Sequence, residues 1–76
     1  MFDISEELGV FCENIKTLRK REGLSKKEMA EKLGIGIKNL TLLERGVVSK
    51  RLGANILINI QRNFHISPNK MFSTTL

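Results

Sequence analysis

Three glycines, Gly23, Gly34 and Gly46, each follow a stretch with helical periodicity and limit how far any helix between them can run. The residue just past a helix's last turn often takes a positive φ, which a β-carbon resists, so a glycine there is a natural stop. The spacing leaves room for helices of only about two to three turns. β-branched alternation is absent, so no strand is predicted. The expected fold class is all-α.

The apolar pattern places five helices between these stops. The first is predicted from about Ser5 to Glu22, with Leu8, Phe11, Ile15 and Leu18 on one stripe. Cys12 lies beside that stripe as a half-buried hydrophobe, and Gly9 marks a weak point where the helix could begin. The second runs from about Lys26 to Leu33, where Ser25-Lys26-Lys27-Glu28 reads as a capping box. Met29, Ala30 and Leu33 form its inner face. The third spans about Ile37 to Arg45. Leu40 centres its inner arc with Ile37 and Leu43 at the edges, and Lys38, Thr41, Leu42 and Arg45 turn outward. The fourth is predicted from about Gly53 to Phe64 on a stripe of Ile56, Leu57, Ile60 and Phe64, with Ile58 pointing elsewhere. Ser67-Pro68 opens the fifth, to about Phe72.

A chain of 76 residues makes one small domain, 1–76, with residues 1–4 and 73–76 expected to fray. A domain this size buries only about 60% of its unfolded surface, so it depends on tight helix packing or on a partner chain. The net charge of +5 is unevenly laid out. Residues 1–13 hold Asp3, Glu6, Glu7 and Glu13 and no base. Residues 14–51 hold eleven of the thirteen bases against four acids. A concentrated basic middle is the footprint expected for a polyanion such as nucleic acid. The acidic N-terminus lacks the features of a signal peptide and no apolar run exceeds three residues, so a cytoplasmic, nucleoid-associated chain with no membrane partner is expected.

The organising feature is the pair of short helices separated by Gly34-Ile35-Gly36. The specific signal is longer: Leu24-Ser25-Lys26-Lys27-Glu28-Met29-Ala30-Glu31-Lys32-Leu33-Gly34-Ile35, then Leu40-Thr41-Leu42-Leu43-Glu44-Arg45-Gly46. Ile15-Lys16-Thr17-Leu18-Arg19 upstream, and Ile60 to Pro68 with Met71-Phe72 downstream, complete the pattern. Over about residues 11–72 the chain resembles the Cro/repressor-type, lambda-repressor-like helix-turn-helix family. The resemblance implies a compact five-helix DNA-binding domain whose second and third helices are the helix-turn-helix. It further implies a sequence-specific transcriptional regulator, prokaryotic or phage, binding double-stranded operator DNA as a homodimer.

Residue roles follow position by position. The resemblance implies an interhelical ion pair between Arg19 and Glu44, structural rather than DNA-contacting. It implies base contacts by Ile37, Lys38, Thr41 and Leu42, and phosphate contacts by Ser25, Lys26, Gly36, Arg45, Lys50 and Arg51. The free amides and positive dipole end at Ser25 and Lys26 suit an anion independently. Lys38 suits guanine O6 and N7, and Ile37 and Leu42 suit a thymine methyl. Gly36 stands where the family usually carries Ser or Thr, so no hydroxyl remains there.

Enzymatic readings lack parts. His65 is the sole histidine and has no nucleophile and acid arranged with it, and no phosphate-binding loop is present. One Cys and one His exclude the usual zinc sites, so no cofactor, metal or small-molecule substrate is expected. The alternative is a protein-interaction module of the same fold, an antitoxin or accessory repressor partner, motivated by exposed Ile37 and Leu42. Ile58, Met71 and Phe72 are candidates for a dimer surface, with burial under the first helix the other reading for Ile58. Single-stranded RNA is disfavoured because no aromatics interleave with the basic residues.

Overall fold

The computed structural model describes residues 5–47 and 54–76. Among them are five helices and no strand: α1 (Ser5–Arg21), α2 (Lys26–Leu33), α3 (Ile37–Glu44), α4 (Ala54–Phe64) and α5 (Pro68–Ser73). The all-α architecture is the one the sequence predicts. No helix among the described residues is long and apolar enough to cross a membrane.

α1 is the rod on which the rest is hung, and it packs against both α3 and α5. α2 packs on α3 and α4, and α4 returns to α5. One core joins them: Phe11, Ile15 and Leu18 from α1, Met29, Ala30 and Leu33 from α2, Leu40 and Leu43 from α3, Ile56 and Ile60 from α4, and Met71 from α5. Ala30 is small enough to let a neighbouring helix approach closely, while Leu33 and Leu40 are fully buried.

Each helix end has a local cause. The capping box at Ser25 is complete: its Oγ accepts from the Glu28 amide at 3.1 Å, and Glu28 Oε1 accepts from the Ser25 amide at 3.0 Å. Gly34, with φ 75°, closes α2 as its own amide and that of Ile35 turn back onto the Glu31 and Ala30 carbonyls. At the end of α4 the same left-handed conformation falls on His65, φ 58°, whose amide donates to the Gln61 carbonyl at 3.0 Å. That is a strained choice for a residue with a β-carbon.

Several expectations are corrected. Gly9 lies inside α1 and not at its start; a β-carbon there would meet only open space, so nothing in the packing interrupts the helix. α1 ends one residue before Glu22, and Arg45 is the C-cap of α3 and not its last helical residue. Cys12 is fully inside, and burial pushes its thiol pKa up, so it packs as an apolar group. Met71, offered as dimer surface, is wholly buried in the core, and Phe72 stacks on Phe11 with ring centroids 4.8 Å apart. Ile58 is not buried under α1 but stands exposed.

The C-terminal tail is tied down where fraying was expected. The buried amide of Asn14 donates to the Met71 carbonyl at 2.9 Å and to the Thr74 carbonyl at 2.7 Å, while its Oδ1 accepts from the Leu76 amide at 3.0 Å. Arg21 adds a bond to the Leu76 carbonyl at 3.0 Å. These bonds satisfy every polar atom of a side chain only 1% exposed, the condition for burying an amide at low cost.

Candidate nucleic-acid interface

α2 and α3 meet around the short turn Gly34-Ile35-Gly36, and α4 braces that turn from behind. The Asn59 amide donates to the Leu33 carbonyl at 2.9 Å, and Asn63 to the Lys32 carbonyl at 3.0 Å. Both carbonyls belong to the last turn of α2, where no amide of the helix remains to pair with them. Sequence reasoning missed these two asparagines because their partners lie on another helix.

The far end of the pair is fixed by Arg19. Its Nε donates to Glu44 Oε2 at 2.8 Å and its Nη2 to Oε1 at 3.0 Å. A third bond, from Nη1, reaches the Leu24 carbonyl at 3.4 Å, just ahead of α2. The side chains are only 17% and 6% exposed, so this pair is shielded from the screening that makes surface ion pairs weak. Glu44 also sits at the C-terminal end of α3, where a carboxylate opposes the helix dipole; the guanidinium offsets that cost.

With its ends held, α3 presents one face outward. Leu40 and Leu43 are buried, and Lys38, Asn39, Leu42 and Arg45 are exposed. Ile37, at the first helical position, is 48% exposed and Leu42 37% exposed, while Thr41 is half-buried at the flank. By helical rotation Lys38, Leu42 and Arg45 form one line along the outer side. Gly36 caps α3 through its carbonyl, which accepts from the Leu40 amide at 3.0 Å, and supplies no side-chain cap. Beyond Arg45, Gly46 takes φ 89° and the Val47 amide donates to the Leu42 carbonyl at 2.9 Å. In this type of helix end the side chains corresponding to Leu42 and Val47 commonly pack together.

Ser25 and Lys26 are exposed at the start of α2. The Glu28 amide is taken by Ser25 Oγ, leaving the Lys26 and Lys27 amides as outward-facing donors. The Glu28 carboxyl is held below its ordinary range, first by the hydrogen bond from the Ser25 backbone amide, then by the Ser25 hydroxyl and the nearby Lys32. Lys50 and Arg51 lie outside the described residues. α2 and α4 line an open groove of mixed charge formed by Glu28, Glu31, Lys32, Asn59, Arg62 and Asn63.

A family model described as a helix-turn-helix domain matches residues 12–76. The chain belongs to this Cro-like helix-turn-helix family. The match takes in α2, α3 and the turn between them as well as α4 and α5. The helix-turn-helix domain is of a DNA-binding kind, in a family that is generally non-enzymatic. No curated protein and no solved structure matches the chain.

Proposed function

We propose that this helix-turn-helix domain, residues 1–76, is a sequence-specific transcriptional regulator of the Cro/repressor type, with α3 entering the major groove as the recognition helix. The observation that supports it most is the outward line Lys38, Leu42 and Arg45 on a helix whose other side is buried and whose last turn is clasped by Arg19. A short helix held this way keeps its free side at a fixed angle to the scaffold, which groove docking requires.

In this reading Ile37, Lys38, Thr41 and Leu42 meet base edges. Ser25, Lys26, the Gly36 amide, Arg45, Lys50 and Arg51 grip phosphates. A homodimer places two such helices about 34 Å apart on a palindromic site. Binding of duplex DNA across a salt series tests the assignment. Affinity falls with rising salt, Lys26→Ala weakens all sequences alike and shallows the salt slope by about one, and Lys38→Ala also changes sequence preference. Duplex binding without a salt slope refutes the phosphate contacts.

The second reading, a protein-interaction module, is favoured by the apolar exposure of Ile37, Leu42 and Val47 around α3. Stable capture of one protein partner, lost on Leu42→Lys, together with only nonspecific DNA affinity, selects it over the first.

A further inference from the structure

α3 carries one exposed side chain that has both a hydrogen-bond donor and an acceptor, and it is Asn39. Lys38 only donates, Ile37 and Leu42 do neither, and the Thr41 hydroxyl is half-buried. Asn39 precedes Leu42 by three residues, so the two stand about 60° apart on one flank of the helix. Lys38 and Arg45 lie on the other side of Leu42, about 20° from each other. The outer face is thus divided into a cationic edge and a neutral edge.

The neutral edge is also open toward the helix tip. A helical side chain leans over the turn that precedes it, which for Asn39 is the turn containing Gly36. Gly36 has no side chain, and a β-carbon built on it meets nothing within 4 Å. Asn39 is exposed, and no side chain at Gly36 stands before it at the end of α3 that a groove-docked helix brings nearest the base edges.

We propose that Asn39 reads adenine, with Leu42 beside it covering a thymine methyl, so that the neutral edge of α3 selects A·T pairs while Lys38 selects guanine. The proposal rests on the DNA-binding reading above and adds to it a specificity-determining residue. The chemistry is one of matching patterns. Adenine shows an acceptor, N7, next to a donor, the N6 amino group; the amide Nδ2 gives to the first and Oδ1 accepts from the second. Guanine shows two acceptors, one of which would face Oδ1 without a proton between them. Lysine, which has no acceptor, prefers guanine for the same reason.

Selection of bound duplexes from a random pool by the intact chain, followed by measured affinities, tests this. The selected site contains an adenine whose replacement costs wild type about 5- to 150-fold, and Asn39→Ala abolishes that discrimination. Asn39→Asp, which can accept but not donate, moves the preference at the same position to cytosine through its N4 amino group. Substituting 7-deazaadenine there weakens wild type but not Asn39→Ala. Deoxyuridine in place of the neighbouring thymine weakens wild type but not Leu42→Ala. Circular dichroism confirms that each variant keeps its helices. If Asn39→Ala lowers affinity equally for all sequences, the residue holds a phosphate and the proposal is overturned. Duplex binding with a salt slope but no adenine dependence on Asn39 overturns it while leaving the DNA-binding reading intact. No duplex binding at all overturns both.

Discussion

The side-chain amide of Asn59 lies 2.9 Å from the point a β-carbon on Gly34 would occupy, while donating to the Leu33 carbonyl. One asparagine on α4 thus both uses and enforces the glycine in the α2–α3 turn. Two costs coincide at that position, the left-handed φ of 75° and the close nitrogen.

Gly34→Ala is accordingly expected to destabilise by about 1–2 kcal/mol from backbone strain alone, and by more once Asn59 is displaced. In a double-mutant cycle, Asn59→Ala relieves the second part and the two losses are less than additive. Urea denaturation of the four proteins measures this, and strict additivity contradicts the contact.

Removing one partner of the Arg19–Glu44 pair leaves a nearly buried charge alone. Arg19→Met is expected to cost about 2–4 kcal/mol, because the stranded Glu44 carboxylate then faces only the end of the α3 dipole. Replacing both, Arg19→Met with Glu44→Leu, recovers most of the loss. A double variant as unstable as the single one shows that packing rather than charge governs the site.

Glu28 gives a pH signature. Its pKa is lowered in the folded chain, so it binds protons more weakly there than when unfolded. Its contribution is therefore complete above the ordinary carboxylate value of about 4.3 and is lost as pH falls through the lower folded value. The stability difference between wild type and Glu28→Ala is expected to be constant from neutral pH down to about 5 and to shrink below about 4. A gap that widens in acid refutes the capping-box assignment.

Asn14→Asp removes two donors and sets a carboxylate against the Met71 and Thr74 carbonyl oxygens. We expect a loss of about 2–4 kcal/mol by urea denaturation at neutral pH, with the Leu76 amide losing its protection from hydrogen exchange. A change within about 0.5 kcal/mol contradicts the latch.

What the sequence disclosed follows from how far apart the interacting residues lie. The Ser25–Glu28 box and the Ser67-Pro68 start close within a turn, so their spacing states the interaction outright. The hydrogen bonds of Asn14 cross 57 to 62 positions and leave no local mark. Met71 shows a second limit: an apolar residue off a stripe can belong to the core or to a surface, and only the packing of α5 on α1 decides for the core. Ile58 resolves the opposite way, toward solvent. Asn39 carries no periodic signal: an amphipathic pattern sorts residues into inward and outward and gives no weight to a polar residue on the flank of α3.

Arg19 grips the Leu24 carbonyl as well as both oxygens of Glu44, so a single head group fastens the loop entering α2 and the final turn of α3. The two-helix unit is consequently clasped at its outer extremities, far from the glycine-lined bend and from the tip holding Ile37, Lys38 and Asn39. Side chains at that tip can be exchanged without re-aiming the rod that carries them, which makes the scaffold a handle onto which other reading surfaces can be grafted.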